Sequence, residues 1–265
     1  MLELNLVMRE VKSWVREVGE IQKENFRKRG LVVTTKSTAV DFVTEIDRLS
    51  EKYILEKIRK NYPNHDILAE ESGDQEIDSD YLWVVDPLDG TTNYMQGIPI
   101  FAVSIALKYK KETVLGVVYL PMLDLLFEGV KDKGAYLNGE KIRVAEKDRL
   151  DHCILATGFP YDRAINKDNN ANYFAHFVPR VRGLRRMGSA AYDLANVAAG
   201  ILDGYWEINL APWDVAAGIL ILEEAGGKVI YLTEKRGVSL VAGNPVICEK
   251  ILEQLRIVDE RENCR

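Results

Sequence analysis

Cysteine and histidine are scarce, three of each in the chain, and each scarcity removes a class of chemistry. Cys153, Cys248 and Cys264 are odd in number and lack metal-ligand spacing, so they build neither a disulfide framework nor a thiolate zinc site. His65, His152 and His176 are scattered, which leaves a histidine-based zinc site without support. No apolar stretch approaches the length of a membrane span; the nearest, Ile98 to Leu107, reads as a core strand. Nothing at the N-terminus resembles a secretion signal, because Glu3, Arg9, Glu10 and Lys12 interrupt its apolar residues, and the expected compartment is the cytoplasm. Positive charge is also in deficit. A formal net charge of −6 and a pI near 5.3 argue against a general nucleic-acid binder, and an anionic substrate would need metal cations to offset the acidic field. Internal repeats and low-complexity segments are missing as well.

What remains is 265 residues of ordinary globular composition, 47% hydrophobic and 29% charged, enough for one large α/β domain or two small ones. The chemistry concentrates in residues 81–94. Leu82, Trp83, Val84 and Val85 have the character of a strand buried on both faces, and Pro87, without an amide hydrogen, is expected to end it at Asp86. Asp86 and Asp89 then face one point across a proline turn with the Leu88 carbonyl between them, a hard-oxygen set that suits Mg²⁺. Gly90, Thr91 and Thr92 offer amides to a phosphate if a helical turn starts there. The plainer alternative is that Asp89-Gly90 is only a hairpin turn.

Leu2, Leu6, Val11, Val15, Val18 and Ile21 recur at helical spacing and predict a long first helix fading at Arg27 to Gly30. Leu31 to Val40, with Lys36, reads as a loop or ragged hairpin that serves as a flap. Thr44-Glu-Ile-Asp47 has capping-box form and opens a helix whose apolar face is Ile46, Leu49, Tyr53, Ile54 and Ile58. Asp66 to Ala69 is a strand ending in Glu70-Glu71, followed by a polar loop to Asp80. Residues 100–139 predict an antiparallel meander closed by an Asn138-Gly139 turn. Beyond it come a strand over 153–157, a helix over 169–177, a strand near 183–186 and an Ala-rich helix from Ser189 to Gly200. A short strand over 205–208, an apolar helix over 213–225, strands over 228–232 and 239–242, and a last helix from Pro245 complete the chain. Asp214 opens the apolar helix; stabilising its dipole explains it without a metal, and a ligand role explains its otherwise costly burial.

Glu70, Asp86, Asp89 and Asp214 each fall where an apolar element meets a loop. With Asp41-Phe-Val-Thr44-Glu-Ile-Asp47, Ala69-Glu-Glu-Ser72, Trp83-Val-Val-Asp86-Pro-Leu-Asp89-Gly-Thr-Thr-Asn-Tyr94 and Trp213-Asp214 leading to Glu224-Ala-Gly-Gly227, the chain resembles the inositol monophosphatase family. Gly158-Phe-Pro-Tyr161 and Leu184-Arg-Arg-Met-Gly-Ser-Ala-Ala191 resemble its SuhB-like prokaryotic branch. The resemblance implies an αβαβα sandwich over residues 1–265, normally a homodimer, with the site between an N-terminal part (about 1–145) and a C-terminal part (about 146–265). It implies two or three Mg²⁺ ions: one on Glu70, Asp86 and the Leu88 carbonyl, a second on Asp86, Asp89 and Asp214, and a third at Glu70. Asp47 and Thr91 would orient the attacking water, although Asp47 also reads as a helix-capping acid. Gly90 and Thr91 would hold the phosphate, and Asp89, Ser189, Ala190 and Glu207 would line the polyol pocket. Glu207 reads equally as a solvent-facing strand acid, and Arg186, like Arg185, either reaches an anionic substrate or decorates a strand end. Lys36 would bring a cation near the third ion. The implied activity is lithium-sensitive hydrolysis of small phosphorylated polyols or sugars, inositol 1-phosphate first and fructose 1,6-bisphosphate as the alternative. Regulators that bind transcription machinery or RNA also occur in that branch, a partner class that the net charge does not indicate.

Overall fold

The computed structural model describes residues 2–28, 30, 33–35, 42–75, 78–233 and 236–263. Helix α1 (Leu4–Asn25) buries a stripe of Val7, Val11, Trp14, Val15 and Val18. Leu6, expected on that face, is exposed, because it stands one residue, about 100° of helix rotation, off the stripe. Strands β1 (Val33–Thr35) and β2 (Phe42–Thr44) pair antiparallel as two arms, the first within the Leu31 to Val40 stretch expected to be a loop or ragged hairpin and the second beyond it. Lys36 and the rest of the expected flap between those arms lie outside the described residues. Helix α2 (Glu45–Asn61) starts at the capping box: the Thr44 hydroxyl accepts from the Ile46 and Asp47 amides, and Asp47 accepts the Thr44 amide at 2.9 Å. Ile46, Ile54 and Ile58 are buried, but Leu49 is exposed.

Strands β3 (Asp66–Ala69), β4 (Gly73–Gln75) and β5 (Tyr81–Asp89), helix α3 (Thr91–Gln96), and strands β6 (Ala102–Tyr109), β7 (Glu112–Leu120), β8 (Leu125–Val130), β9 (Gly134–Leu137) and β10 (Glu140–Lys141) follow. The eight strands form one sheet in the order β10-β9-β8-β7-β6-β5-β3-β4. All neighbours are antiparallel except β3 and β5. Strand β4 lies in the stretch expected to be loop.

The expected end of β5 at Asp86 is corrected: the strand runs on to Asp89. Asp86 pairs with Ser104 and Asp89 with Ala102, so three residue steps on β5 match two on β6. The bulge takes up the extra residue, and Pro87 sits inside it, where the ladder does not need its missing donor.

The second half contains β11 (Ile154–Thr157), α4 (Ala171–Phe177), β12 (Gly183–Arg185), α5 (Ala190–Ala198), β13 (Gly204–Leu210), α6 (Pro212–Glu224), β14 (Lys228–Thr233), β15 (Val238–Gly243) and α7 (Pro245–Asn263). Its five strands are ordered β12-β11-β13-β15-β14.

Three apolar clusters define the layers. Val11 and Val15 of α1 and Ile54 and Ile58 of α2 pack on Trp83, Val85 and Ile105 of the larger sheet. Leu194 of α5 and Val215 and Ile221 of α6 fill the middle, between Val84, Ala106 and Val118 of that sheet and Ala156, Tyr205 and Leu240 of the smaller one. Ile247 and Ile251 of α7, with Phe177 of α4, cover Leu155, Trp206 and Val241 on the outside. The stack is therefore αβαβα. Successive β5 residues Trp83 and Val84 enter different clusters, as a strand buried on both faces requires. Among the described residues no helix is long and apolar enough to cross a membrane.

Candidate active site

The end of β3, the β5 bulge, the start of α5, strand β13 and the start of α6 meet around a cleft of about 250 Å³. It is lined by Glu70, Asp86, Leu88, Asp89, Gly90, Thr91, Arg186, Ser189, Ala190, Glu207 and Asp214. These are the expected site residues apart from Lys36, which is not described, and Asp47, which stands one bond behind the wall.

Glu70 extends the β3 ladder, its amide donating to the Val85 carbonyl at 3.2 Å, while the next amide, Glu71, donates to Glu51 of α2 at 2.8 Å. Asp86 is buried, and its Oδ1 accepts the Leu88 amide at 3.0 Å, which closes the bulge. Gln22 of α1 braces the same bulge from behind, donating to the Pro87 carbonyl at 2.8 Å. Gly90 has φ 102°, a left-handed conformation in which a β-carbon would also stand 3.1 Å from the Ile100 carbonyl. That turn sends Thr91 back towards the cleft. The Thr91 hydroxyl donates to Asp47 at 2.8 Å, and the other Asp47 oxygen belongs to the capping box. The helix-cap and water-orienting readings of Asp47 are therefore compatible: one oxygen starts α2 and the other polarises Thr91.

Asp89 Oδ2 accepts from the Ser189 hydroxyl at 2.6 Å and the Ala191 amide at 2.7 Å, so the start of α5 is bonded to the end of β5. Asn93 adds a second tie, donating at 2.7 Å to the carbonyls of Ile100 and Met187. Asp214 Oδ2 accepts the Ala211 amide at 2.7 Å, so it does stabilise the helix start while facing the cleft.

Burial pushes the carboxyls of Asp86 and Asp214 well above the usual range, reinforced at Asp86 by Glu70, Asp89 and Asp214, and at Asp214 by Asp89 and Glu70. Burial also raises Asp89, to about 6, against the opposing bonds from Ser189 and Ala191. Four carboxyls thus crowd one end of the cleft, and Arg186 is the one lysine or arginine among the described residues lining it. Its charge falls at the other end, on Asp193 and Glu207.

Glu207 is no solvent-facing strand acid. It shares a face of β13 with buried Tyr205, whose hydroxyl donates to it at 2.5 Å, and a β-carbon on Gly158 would collide with its carboxylate at 2.0 Å. Gly158 is held there by Asn170, which bonds the Gly158 carbonyl, the Thr157 hydroxyl and the Trp206 indole.

Among the described residues no group of three or more histidine, cysteine, aspartate or glutamate side chains is already arranged to hold a metal ion. The donor set nevertheless fits a hard divalent cation: Glu70, Asp86, Asp89 and Asp214 offer only carboxylate oxygens, the Leu88 carbonyl adjoins them, and burial beside like charges raises the carboxyls of Asp86, Asp89 and Asp214.

Comparison with known proteins resolves the ancestry of this arrangement. The model of the inositol monophosphatase family matches residues 4–264. The chain belongs to the inositol monophosphatase family. It is 43% identical over 249 residues to the Nus factor SuhB of Pasteurella multocida, covering 91% of this chain and 92% of that protein. It is 42% identical over 236 residues to the fructose-1,6-bisphosphatase/inositol-1-monophosphatase of Aquifex aeolicus, covering 89% of each. The solved inositol monophosphatase of Anabaena superposes with a TM-score of 0.86 at 39% identity, over 96% of this chain and 97% of that one.

Sequence reasoning missed four contributors to the site. Asp193, Gln22 and Asn93 are buried polar residues at positions that local pattern assigns to apolar or neutral helix faces, and Asn170 lies in a polar run that reads as surface. Gln22 carried one signal, since it continues the stripe of Val11, Val15 and Val18 at helical spacing.

Proposed function

We propose that this inositol monophosphatase family member hydrolyses small phosphomonoesters with Mg²⁺, inositol 1-phosphate being the leading substrate and fructose 1,6-bisphosphate the alternative. The observation that carries the reading is the convergence of Glu70, Asp86, Asp89 and Asp214 on one wall of the cleft beside the Thr91–Asp47 pair. Glu70, Asp86 and the Leu88 carbonyl would hold one ion, Asp86, Asp89 and Asp214 a second, and Glu70 a third. When bound, Mg²⁺ supplies positive charge against the phosphate and its leaving oxygen and acidifies water. The chain's own part is orientation and proton handling. Thr91 donates its hydroxyl hydrogen to Asp47, so its oxygen is left to accept a hydrogen from water aligned on phosphorus, and Asp47 takes up the positive charge that develops along this path. The Gly90 and Thr91 amides, at the turn into α3, have no partner one turn back in the helix and are suited to phosphate oxygens. Ser189 is bonded to Asp89 and orients that carboxylate, while Ala190 and Glu207 border the leaving alcohol.

Phosphate release from a panel of phosphomonoesters, with Mg²⁺ and with EDTA, tests the reading. Mg²⁺-dependent turnover of inositol 1-phosphate supports it; no release from any member of the panel would falsify it.

The relationship to a Nus factor favours a second role, binding of transcription machinery independent of turnover. A pull-down from native extract with wild type and Asp89→Asn separates the two: a partner retained by the inactive variant supports the second role, and none captured by either removes it. The expected homodimer is checked by light scattering on the purified chain.

A further inference from the structure

The reaction described above has no use for Asp193. It stands on α5 four residues after the capping Ser189, lines the cleft, is 1% exposed, and its Oδ1 has no hydrogen-bond partner in the protein. Its neighbours on α5 are Ala190, Ala191, Leu194, Ala195 and Val197, all buried, so an acid contributes nothing to packing that alanine or leucine would not do better. A buried oxygen left without a partner calls for one that the protein does not itself supply, and the cleft that Asp193 lines is the side from which it can come.

Asp193 belongs to a different electrostatic group from the acids of the proposed metal end. Asp86 feels Glu70, Asp89 and Asp214, whereas Asp193 feels Glu207, Asp89 and Arg186. Asp89 is common to both groups and Asp214 also feels Glu207, so the two groups adjoin in one cleft and meet at Asp89 and Asp214. At the second end the Tyr205 hydroxyl is committed to Glu207, and Gly158 closes the space against the same carboxylate. The charged groups at this end are therefore two carboxyls and one guanidinium, with Thr157, Tyr161 and Asn209 as further polar residues lining the cleft.

We propose that Asp193 is a specificity-determining residue: with Glu207 it forms a two-carboxyl end to the cleft that accepts neighbouring hydroxyls of an uncharged polyol and turns away a leaving group carrying a second phosphate. The inference rests on the phosphomonoesterase reading above. Hydroxyls suit this end because each brings a hydrogen to a carboxyl oxygen, and two carboxyls lining one cleft can take two hydroxyls of one ligand. A phosphate brings only acceptors. An ionised carboxyl repels it, and a protonated one offers a single hydrogen where a phosphate dianion calls for several donors. Arg186 alone does not reverse that balance.

The test is kcat/KM for inositol 1-phosphate and for fructose 1,6-bisphosphate, with saturating Mg²⁺, in wild type, Asp193→Asn and Glu207→Gln. Asparagine keeps the shape of Asp193 but removes its charge and supplies an amide donor. The expected result is a loss of about tenfold on the monophosphate, carried mainly by KM, with the bisphosphate unchanged or improved, so that the preference between the two shifts by about tenfold or more. Glu207→Gln should shift it in the same direction, which keeps the test open if one variant fails to fold by circular dichroism. Equal losses on both substrates in the folded variants would mean that Asp193 merely supports α5, and would overturn the proposal. A wild type that favours the bisphosphate would overturn it as well. A wild type that releases phosphate from neither substrate nor any of the wider panel would instead bring down the phosphatase reading, and this inference with it.

Discussion

Replacing Asp86 by asparagine separates the two roles a buried carboxylate can have. As a structural group Asp86 is a burden: it is buried, and Glu70, Asp89 and Asp214 all disfavour its charge. As a ligand it is shared by two of the three proposed ions. The variant should therefore lose roughly a thousandfold or more in Mg²⁺-dependent turnover while its thermal midpoint in EDTA stays level or rises, because the amide keeps the bond to Leu88 without the charge. Near-normal turnover would remove Asp86 from the ligand set. Glu207 gives a pH signature. Burial, helped by Asp89, outweighs the Tyr205 bond and Arg186 and raises its carboxyl from 4.5 to about 7. The folded chain then holds that proton more tightly than the unfolded chain. The resulting stability is complete below about pH 4.5 and is lost as the pH climbs towards about 7. Thermal unfolding in EDTA should show this loss in wild type and a flatter profile in Glu207→Gln; parallel profiles would show that Glu207 titrates normally.

Elements that depend on neighbours in sequence were legible before any coordinates. The capping box at Thr44, the antiparallel meander, the Asn138-Gly139 turn and the helix opening at Asp214 each carry their signal within a few residues. The β5 bulge does not, because Pro87 forbids a regular ladder without revealing whether the chain stops or bulges, and the answer lies in the register with Ser104 and Ala102. Gln22 likewise gains its meaning from Pro87, 65 residues away. The four acids that line the cleft were legible through family motifs, whereas Asp193 looks like any first-turn acid until the fold brings it into the same cleft as Glu207. A further long-range brace is Arg236, just before β15, which bonds both oxygens of Asp162 at 2.5 and 2.6 Å and the Asp168 carbonyl at 2.7 Å. It pins the segment after β11 whose first residues, Gly158 to Tyr161, wall the cleft. Arg236→Gln should make residues 162–169 more open to limited proteolysis and raise KM severalfold with kcat within about twofold, since the reacting groups stay on other elements. Unchanged proteolysis and KM would show the brace to be decorative.

The two sheets are joined by chemistry as well as by packing. Glu70, Asp86 and Asp89 come from the eight-stranded part, and Asp214 comes from a helix of the C-terminal part. The proposed ion shared between them would tie the halves together in the folded state and would have no equivalent site in the unfolded chain. Mg²⁺ at a hundred times its dissociation constant should stabilise the fold by about 2.7 kcal/mol, seen as a rise in thermal midpoint that EDTA reverses. The rise should shrink in Asp214→Asn. An equal rise in that variant would place the stabilising ion away from α6.

The middle helical layer packs against both sheets but is made late. The eight-stranded sheet is complete by Lys141, yet the helices that cover its inner face, α5 and α6, span Ala190–Ala198 and Pro212–Glu224. A ribosome adding about 5–20 residues per second therefore leaves Val84, Ala106, Val118 and Phe127 uncovered for several seconds in every nascent chain. Production of this protein in the cell should therefore depend on the speed of translation through residues 142–224 and on chaperones that shield an open sheet. Slow codons in that interval should lower soluble yield without altering a single side chain.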